Sequence, residues 1–413
     1  MCGIAGQLTR SNSAIDIVES TTGMIEQLTH RGPDNMGIWK DKSSGICLAH
    51  RRLSILDLSP EGHQPMHSVN GRYILAFNGE VYNHKELRKE LDGIELSQET
   101  GSPEKKWRGY SDTEVMLAAI TQWGVYEATK RFNGMFAFAL WDRSEKDLYL
   151  VRDRIGEKPL YFGWVGETLL FGSELKALCA YSNWQGEIDR NALTKYMQFN
   201  YIPTPYTIYK GIRKLESGSI ARISSNGVNR QFDLQRYWSL HDVVMQPRKN
   251  ISDASAIEEA ESVLSASVKR QMVADVPLGA FLSGGVDSSL IVALMQSQSM
   301  RPVRTFTIGF HEAAFNEAQH ALAVADHLET EHTEFYVSPQ DAMNVIPLLP
   351  TLYDEPFADS SQIPTYLVSK LTREHVIVSL SGDGGDELFG GYNRYSWGRN
   401  IWDRIKYFPL PLR

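Results

Sequence analysis

Two glycine-rich, acidic stretches in the second half of this 413-residue chain constrain its fold more than any other feature. Each follows a short apolar run: "SGGVDSS" (283–289) comes after "VPLGAFL", and "SGDGGDE" (381–387) comes after "HVIVSL". Strand–loop–helix repeats with glycine at the strand ends are typical of a parallel sheet, and such sheets bind ligands at the carboxyl ends of their strands. The second half therefore predicts an α/β domain whose ligand site contains both loops.

The first half has the pattern of many short strands separated by turns. Aromatic and β-branched residues alternate with polar ones, and Gly, Asn or Asp marks the turns, in segments 72–83, 134–154 and 160–178. Two helices interrupt these strands, at 16–30 and 112–123, because apolar residues recur there at helical spacing. Strand pairs with packed helices predict an α+β sandwich.

A change of composition marks the boundary between the halves. Segment 216–252 is rich in Ser, Asn, Gly and Arg, and the following segment, 251–272, has the pattern of an amphipathic helix with Ser252 as its cap. We expect three parts: a domain at 2–215, a linker at 216–250 and a second domain at 251–413.

Charge and cysteine content exclude several classes of protein. The formal net charge of −8 disfavours a large nucleic-acid interface, which needs clustered cations. The three cysteines form neither a C-x-x-C pair nor a zinc-ligand spacing, as expected for a reducing cytosol, and we expect Cys47 and Cys179 to lie in the core. Polar residues follow the first apolar ones closely, and no apolar run is long enough to span a membrane. We therefore expect a cytoplasmic protein without a nucleic-acid or membrane partner.

The second residue, in "MCGIAG", is a candidate nucleophile. Methionine is readily removed before a small residue, and Cys2 then carries a free α-amino group, whose reference pKa is about 7.7–8.0. Such an amine activates an N-terminal nucleophile by acting as its base. The motif alone leaves this interpretation and a packing role for Cys2 equally open.

The loop "SGGVDSS" lacks the spacing and the lysine of a Walker A motif, but it can still bind an anion. Its glycines expose backbone N–H groups, the following helix offers its positive end, and Ser283, Ser288 and Ser289 add hydroxyl groups. Asp287 suits this place if a cation such as Mg²⁺ lies between it and a phosphate. The alternative is a tight strand-to-helix turn capped by Asp and Ser.

The second loop repeats this design with Asp383, Asp386 and Glu387. Taken alone, it is also compatible with a solvated turn. Two acidic, glycine-rich loops at neighbouring strand ends together predict a pocket for a Mg²⁺-bound polyphosphate.

Motifs in both halves resemble those of one family. The class II glutaminase motifs have their counterparts, in order, in "MCGIAG", "HRGPD" (30–34), "HRRLSILD" (50–57), "FNGEVYN" (77–83) and "SDTE" (111–114). "SGGVDSS" resembles the PP-loop of ATP pyrophosphatases, which cleave ATP between the α and β phosphates. Over nearly its whole length the chain resembles the glutamine-hydrolysing asparagine synthetases and related glutamine-dependent amidotransferases. The resemblance implies an N-terminal nucleophile α+β sandwich followed by a parallel-sheet PP-loop domain, and it favours catalysis by Cys2.

The resemblance implies a role for each matching residue of the first domain. Cys2 is the nucleophile, and an oxyanion hole is formed by Asn78 and Gly79. The arginine that grips the α-carboxylate of glutamine matches Arg52, and Arg31 steadies the loops. The glutamine ammonium is held by Asp112, with Glu80 nearby. The full glutamine-binding set is Arg52, Leu53, Ser54, Ile55, Asn78, Gly79, Glu80 and Asp112. A surface ion pair is the alternative for Arg52 and for Asp112.

In the second domain the resemblance implies an ATP site. Its members are Leu282, Ser283, Gly284, Gly285, Asp287, Ser288, Ile308, Ser381 and Gly382. Ile308 would contact the adenine, and Ser381 and Gly382 would close the site. Asp287 and Asp386 are the expected ligands of Mg²⁺ and pyrophosphate, and Asp383 is a candidate catalytic residue.

The implied reaction has two halves. Cys2 hydrolyses glutamine through a thioester, and a substrate carboxylate attacks the α-phosphate of ATP to give an acyl-adenylate. Ammonia, which reaches the adenylate through an internal tunnel in such enzymes, displaces AMP and forms an amide. The expected partners are small molecules: glutamine, ATP, and aspartate or another carboxylate. A homodimer is compatible with the resemblance.

The sequence departs from the asparagine synthetase pattern at one site and in length. The family generally has S-G-E-G where this chain has Asp383, one methylene shorter. "DEPFADSSQIPTY" (354–366) also resembles relatives that amidate other carboxylates, such as sugar acids for surface polysaccharides. The family usually continues well past this chain's last residue, so we expect the second domain to be incomplete at its C-terminus. A glutaminase whose second domain only binds nucleotide, and a scaffold protein with inactive sites, are the remaining alternatives.

Overall fold

The computed structural model describes residues 1–9, 16–97, 107–225, 232–311 and 316–412. Its strands are β1 Gly3–Thr9, β2 Asn35–Asp41, β3 Ile46–Arg52, β4 Met66–His67, β5 Tyr73–Val81, β6 Gly134–Asp142, β7 Asp147–Arg152, β8 Tyr161–Val165, β9 Thr168–Gly172, β10 Ile212–Lys214, β11 Ser219–Ser224, β12 Asp233–Arg236, β13 Leu278–Phe281, β14 Arg304–Phe310, β15 Glu331–Val337 and β16 Val378–Leu380. Its helices are α1 Ile17–Glu26, α2 His84–Ser97, α3 Asp112–Arg131, α4 Leu175–Cys179, α5 Arg190–Phe199, α6 Leu240–Val244, α7 Asp253–Gln271, α8 Val286–Ser297, α9 Ala318–Leu328, α10 Pro339–Val345, α11 Leu349–Leu352, α12 Gln362–Thr372, α13 Gly385–Phe389 and α14 Asn393–Ile405.

The chain divides into two compact units, one comprising 1–250 with 347–360 and the other 251–346 with 361–413. The first unit contains two six-stranded antiparallel sheets, with strand orders β10-β8-β9-β1-β3-β2 and β12-β11-β7-β6-β5-β4. Nearly every residue of central strands such as β1 and β5 is buried, so both faces of each sheet are covered. One face of each sheet packs against the other sheet, since Ile4 and Phe171 of one sheet share a fully buried cluster with Ile74 and Trp141 of the other.

Helices cover the outer face of each sheet. Met24 and Ile25 of α1 pack with Ala5 of the first sheet, in a cluster that also includes residues of α4. On the other side, α3 packs against the second sheet in a cluster that contains Val115 and Phe77. The result is a four-layer helix–sheet–sheet–helix arrangement, which confirms the predicted α+β sandwich.

Three groups of residues that the sequence analysis assigned to the glutaminase site lie at the ends of strands or helices of the first unit. Cys2 immediately precedes β1, and residues 78–80 form the end of β5, where Gly79 is paired with Phe136 of β6. Asp112 is the first residue of α3, whose cap is Ser111; the Ser111 hydroxyl accepts a 3.3 Å hydrogen bond from the amide of Glu114.

The second unit is built on a four-stranded parallel sheet with the order β15-β14-β13-β16. Its core includes Ala280, Leu282, Val292 and Met295. Strands β13 and β16 are neighbours, so the two glycine-rich loops that follow them leave the sheet at the same edge. This confirms the predicted parallel sheet and the placement of both loops at neighbouring strand ends.

Several local predictions are resolved by the structure. Ser252 caps α7 as expected, accepting a 3.2 Å hydrogen bond from the amide of Ser255. The helix predicted at 112–123 is the first part of α3. Helix α3 is broken at Gly124, where φ is 77°, and then continues to Arg131. Cys47 is fully buried, but Cys179 is only partly buried, so its expected core position is wrong.

Helix α2 and two strands of the second sheet are among the elements that were not anticipated. Helix α2 is largely charged. Among residues 84–94, whose side chains the structure describes, the buried apolar residues are Leu87 and Leu91, which leaves little helical periodicity to detect. The segment 216–250, expected as a linker, contributes β11 and β12 to the second sheet, with β11 paired to β7. The domain boundaries proposed from sequence stay a prediction.

Candidate active site

Cys2 lies at one end of a solvent-open cavity in the first unit. The backbone N–H of Leu53 donates a 3.4 Å hydrogen bond to Sγ of Cys2, and Sγ lies 3.6 Å from the Leu53 carbonyl oxygen. Burial raises the pKa of the Cys2 thiol above its ordinary value, against the opposing effect of the Leu53 hydrogen bond. The thiol is therefore protonated at neutral pH, and a base must accept its proton before it can act as a nucleophile.

The cavity is a solvent-open cleft, the usual form of a small-molecule site. Most of the residues predicted to bind glutamine line it. The lining residues are Met1, Cys2, Arg52, Leu53, Ile55, Leu56, Gly62, Gln64, Phe77, Asn78, Gly79, Glu80, Ser111, Asp112, Thr113, Met135 and Lys158. The structure thus brings together residues from the start of the chain, from β3 and the loop after it, from β5, and from the start of α3.

Asn78 has a fully buried side-chain amide without a hydrogen-bond partner. Among the described residues, neither Nδ2 nor Oδ1 has a hydrogen-bond partner, although both are inaccessible to solvent. A buried amide without partners costs free energy, which a ligand in the cavity would recover by bonding to it. Beside it, Gly79 has φ of 153°, and a side chain there would collide with the carbonyl oxygen of Met135. This geometry suits an oxyanion hole formed by a side-chain amide and a backbone N–H.

Arg52 is buried and held in one orientation by backbone carbonyl groups. Its Nη1 donates to the oxygen of Ser59 at 3.1 Å, and Nη2 donates to the oxygens of Leu56 and Asp57. Gly62 packs so closely on the guanidinium that any side chain there would displace it. A fixed, buried guanidinium in this cavity suits recognition of a carboxylate, and its burial excludes the alternative of a surface ion pair.

Asp112 and Glu80 add two carboxyl groups to the lining of the cavity. Asp112 Oδ2 accepts a 2.9 Å hydrogen bond from the amide of Val81, and burial raises the pKa of its carboxyl. Burial, and then repulsion from Asp112, raise the pKa of Glu80 to about 7. Two buried carboxyl groups in one cavity are stabilised in their ionised form by a cation, such as the ammonium of an amino acid.

Not every predicted residue contacts the cavity. Leu53 and Ile55 line it, but Ser54 does not; the Ser54 amide instead donates a 2.8 Å hydrogen bond to Oδ2 of Asp34. That bond ties the loop after β3 to the motif at 30–34, so Ser54 positions the loop that carries Leu53.

In the second unit, the predicted PP-loop is closed by its own serines. Ser288 Oγ lies 3.0 Å from Ser283 Oγ and accepts a 3.2 Å hydrogen bond from the Ser283 amide. Gly284 has φ of 78°, and a methyl group on it would lie 2.7 Å from the backbone of His320 and Ala321. Gly285 precedes α8 without a side-chain cap. The loop is therefore a compact turn at the N-terminus of a 12-residue helix.

The second glycine-rich loop packs directly against the first. A methyl group on Gly382 would lie 2.7 Å from the amide nitrogen of Ser288, and one on Gly385 would lie 2.5 Å from Cγ of Asp287. Asp386 follows Gly385, so the predicted ligands Asp287 and Asp386 belong to adjoining loops. Asp383 is exposed, and its Oδ2 accepts a 3.0 Å hydrogen bond from the Ser381 hydroxyl. Ile308 lies on β14, next to β13.

Two carboxylates are the number that Mg²⁺ usually takes from protein when phosphate oxygens complete its shell. Within the described residues, no group of three or more His, Cys, Asp or Glu side chains is placed to hold a metal by itself. The donor set of Asp287 and Asp386 therefore fits a cation that is shared with a bound polyphosphate.

Comparison with known proteins identifies the family. One family model, described as a glutamine amidotransferase domain, matches residues 1–238, and another, described as asparagine synthase, matches residues 259–413. The chain belongs to the glutamine-hydrolysing asparagine synthetase family. The resemblance found in the motifs is confirmed, as is the membership in an enzyme family of carbon–nitrogen ligases that use ATP.

Relatives extend beyond this chain. Asparagine synthetase (glutamine-hydrolyzing) 1 of Bacillus subtilis is 37% identical over 398 residues, covering 96% of this chain and 59% of that protein. A relative from Methanocaldococcus jannaschii is provisionally named asparagine synthetase (glutamine-hydrolyzing) 2. It is 38% identical over 440 residues, covering 100% of this chain and 79% of that protein. Among solved structures, a glutamine phosphoribosylpyrophosphate amidotransferase from Bacillus subtilis complexed with ADP and GMP matches with a TM-score of 0.41 and 17% identity, over 81% of this chain and 65% of that chain.

The family motifs do not include every residue that forms the first site. Gln64 Oε1 accepts a 2.8 Å hydrogen bond from the amide of Phe77, and its Nε2 lies 3.3 Å from the Thr113 hydroxyl, which joins β5 to α3. Lys158 also lines the cavity and was not anticipated. No spacing in the sequence distinguishes these residues from surface polar residues, because each comes from a loop that only the fold brings to the cavity.

Among the described residues, no helix is both long enough and apolar enough to cross a membrane.

A chain of ion pairs runs from the backbone of Cys2 to a distant segment of the same unit. Arg31 Nε donates a 2.9 Å hydrogen bond to the carbonyl oxygen of Cys2, and its Nη1 donates a 2.7 Å hydrogen bond to Glu174. Glu174 also accepts from Lys176 Nζ at 2.6 Å, and Lys176 Nζ lies 3.1 Å from Asp354. Asp354 opens the "DEPF" motif that the family resemblance connects with the acceptor. In the structure, Asp354 and Glu355 form ion pairs with Lys176 and Lys214 of the first unit.

Proposed function

We propose that this chain carries out glutamine-dependent, AMP-forming amide synthesis with L-aspartate as the acceptor. The products are then L-asparagine, L-glutamate, AMP and pyrophosphate, formed from aspartate, glutamine, ATP and water. The observation that carries this proposal is the cavity in which Cys2 lies beside the unpartnered, buried amide of Asn78 and the fixed guanidinium of Arg52. A nucleophile, an oxyanion donor and a carboxylate anchor in one cavity are what hydrolysis of an amino-acid amide requires.

In the glutaminase half, removal of Met1 frees the α-amine of Cys2. The amine takes the thiol proton as sulfur attacks the amide carbon of glutamine, and the negative charge that forms on oxygen is bound by Asn78 Nδ2 and the Gly79 amide. The amine then returns the proton to the leaving nitrogen, releasing ammonia and a thioester. Water hydrolyses the thioester to glutamate and regenerates the thiol. Arg52 binds the α-carboxylate, and Asp112 with Glu80 binds the ammonium of the substrate.

In the synthetase half, a carboxylate oxygen of the acceptor attacks the α-phosphorus of ATP, and pyrophosphate leaves. Ammonia attacks the resulting acyl-adenylate, AMP leaves, and the amide is formed. Backbone amides of residues 283–285, at the start of α8, bind phosphate oxygens through the positive end of that helix. Asp287 and Asp386 would hold Mg²⁺, which neutralises the charge of the phosphates when bound. Ile308 would contact the adenine, and Ser381 with Gly382 would close the site.

A second acceptor class is supported by Asp383. Its shorter side chain, bonded to Ser381, stands where asparagine synthetases generally have glutamate. A longer acceptor acid, such as a sugar acid, would compensate for the missing methylene. Asp383 therefore supports amidation of a carboxylate other than aspartate as the alternative activity.

The deciding experiment measures pyrophosphate release from ATP with Mg²⁺ and aspartate, using glutamine or ammonium as nitrogen donor. We expect aspartate-dependent pyrophosphate and asparagine with both donors, and a Cys2→Ala variant that loses only the glutamine-supported rate. If sugar acids support pyrophosphate release and aspartate does not, the second acceptor class replaces the first. If glutamine is hydrolysed but no acceptor acid supports pyrophosphate release from ATP, the chain acts as a glutaminase only.

Three further features are proposed with this function. A requirement for Mg²⁺ is tested by loss of pyrophosphate release with EDTA and its recovery with added Mg²⁺. A homodimer is tested by light scattering during gel filtration. A cytoplasmic location is supported by three unpaired cysteines, and fractionation of the source cells tests it.

A further inference from the structure

Lys158 is a buried lysine that the proposed reaction does not use. It follows β7, only 5% of it is exposed, and it lines the same cavity as Cys2 and Glu80. Lysine is almost never this buried without a charged partner, because desolvation of an ammonium costs several kcal/mol. Burial accordingly lowers the pKa of Lys158.

The contact that Lys158 makes in this structure is a weak one. Its Nζ lies 2.8 Å from Sδ of Met1, and among the described residues it forms no ion pair within 4 Å. A thioether sulfur is a poor hydrogen-bond acceptor and offers no charge to an ammonium. Met1 is also the residue whose removal the proposed chemistry of Cys2 requires. In the processed chain, Lys158 therefore loses this contact and needs another.

Glu80 is the buried group of opposite charge in the same cavity. Its Oε1 is inaccessible to solvent and has no hydrogen-bond partner in the part of the chain that the structure describes. The positive charge of Lys158 already acts on it, lowering the pKa of Glu80 against the larger effects of burial and of Asp112. Lys158 and Glu80 are thus two buried groups of opposite charge that line the cavity containing Cys2, and within the described part of the chain neither is ion-paired.

We propose that, once Met1 is removed, the ammonium of Lys158 pairs with the carboxylate of Glu80 and holds it ionised and in place to receive the ammonium of glutamine. Lys158 is then a positioning residue that acts through Glu80, and the inference rests on the proposed glutaminase reaction. A carboxylate has two oxygens, so it can accept from Lys158 and from the substrate at the same time.

The other charges around the pair leave Glu80 dependent on Lys158. Glu80 faces the carboxylate of Asp112 from α3 and the positive N-terminus ahead of β1. Lys158 faces Arg31 from the loop after α1, and Glu157 and Asp153 from its own loop. Without Lys158, the neighbour that dominates at Glu80 is the like charge of Asp112, which favours a protonated, neutral carboxyl.

The test uses the full chain after removal of Met1, checked by mass spectrometry, and follows glutamine hydrolysis from pH 6 to 9. Lys158→Met is expected to raise KM for glutamine at least tenfold at pH 7, with kcat changed less than threefold. Because Glu80 is then protonated at pH 7, the KM should fall again toward the wild-type value as the pH is raised to 9. Lys158→Arg keeps the charge and should stay within threefold of wild type, as should Lys210→Met, which removes an exposed lysine of the same unit.

Two results would overturn the inference while leaving the glutaminase reaction intact. One is a Lys158→Met variant with wild-type KM at every pH; the other is a Lys158→Arg variant as impaired as Lys158→Met, which would indicate packing alone. An inactive wild-type chain would instead contradict the proposed function. If Lys158→Met does not fold, Glu80→Gln is tested instead. The inference then requires that Glu80→Gln has a raised KM for glutamine and that this KM no longer changes between pH 6 and 9. Independently of activity, a crystal structure of the processed chain should place Nζ of Lys158 within 4 Å of a Glu80 oxygen, and any other partner would refute the pairing.

Discussion

The guanidinium of Arg31 connects Cys2, the proposed nucleophile, to the partly buried carboxylate of Glu174 far along the chain. Its Nε donates a hydrogen bond to the carbonyl oxygen of Cys2 at 2.9 Å, and its Nη1 donates one to Glu174 at 2.7 Å. The position of Cys2 is therefore fixed by a side chain that is itself fixed by an ion pair. Because a displacement of about 1 Å can cost on the order of 100-fold in rate, this support matters to catalysis.

Replacing Arg31 by lysine should slow the glutaminase reaction without weakening glutamine binding. Lysine keeps the charge but cannot donate in two fixed directions, so it cannot hold both Cys2 and Glu174. We expect kcat for glutamine hydrolysis to fall about 10- to 100-fold, with KM within threefold of wild type. Steady-state kinetics measure this, with the exposed Arg143→Lys as the matched control. An equal rise in KM would place Arg31 in the binding site instead.

The segment 347–360 should depend on Asp354 and Glu355 for its place on the first unit. Asp354 Oδ2 accepts from the Lys176 amide at 2.9 Å, and Glu355 Oε2 accepts from the Ile208 amide at 3.2 Å. Breaking a half-buried ion pair leaves its partner charge without compensation. Hydrogen exchange at the Lys176 amide should become at least tenfold faster in Asp354→Ala, and the Ile208 amide should respond in the same way in Glu355→Ala. An exposed Glu374→Ala substitution should change neither amide, and unchanged exchange in the first two variants would contradict the anchoring role.

Acid should destabilise the first unit partly through His50. This histidine is fully buried, its Nε2 lies 2.9 Å from the Phe77 carbonyl oxygen, and burial lowers its pKa to about 3. A pKa below the unfolded value of 6.5 means that stability is present above pH 6.5 and is lost as the pH falls, because the unfolded chain binds the proton more readily.

The loss approaches about 1.4 kcal/mol per pH unit below pH 6, and it amounts to roughly 2 kcal/mol between pH 6.5 and 4.5. His50→Gln, which does not titrate, should lack this part of the acid sensitivity, while the exposed His241→Gln should keep it. Urea denaturation at both pH values measures the difference. Parallel loss of stability in wild type and His50→Gln would show that His50 does not titrate on unfolding.

The two glycine-rich loops of the second unit should not tolerate side chains where they meet. Gly284→Ala places a methyl group in a backbone conformation with φ of 78° and against His320, and Gly382→Ala places one 2.7 Å from the Ser288 amide. We expect each variant to lose at least tenfold in ATP affinity by equilibrium binding. Glutamine hydrolysis should be unaffected. Gly398→Ala, in the open space around α14, is the control, and equal ATP affinity in all three variants would show that the loops do not form the nucleotide site.

Much of the candidate site could be predicted from short stretches of sequence. Asn78, Gly79 and Glu80 lie on one strand, and Arg52, Leu53 and Ile55 lie at the end of another and in the loop after it, so local spacing fixes their relation to one another. The parallel sheet of the second unit was predictable for the same reason, since the strand-to-loop pattern is repeated within each glycine-rich stretch. The motif around Ser54 did not indicate its observed contact, since the Ser54 amide donates a hydrogen bond to Asp34, 20 residues earlier in the chain.

The sequence by itself determined the family and the two fold classes and indicated Cys2 as the candidate nucleophile, because each is encoded in residues close together along the chain. Only the tertiary structure decided how Cys2 is held and which charges surround it. Arg31 and Glu174 are 143 residues apart, and Lys176 and Asp354 are 178 apart, so no local pattern relates them. Lys158 reaches the cavity in the same way, through the packing of a loop. Such long-range contacts follow from how the sheets and loops pack, and that packing depends on all of the chain at once.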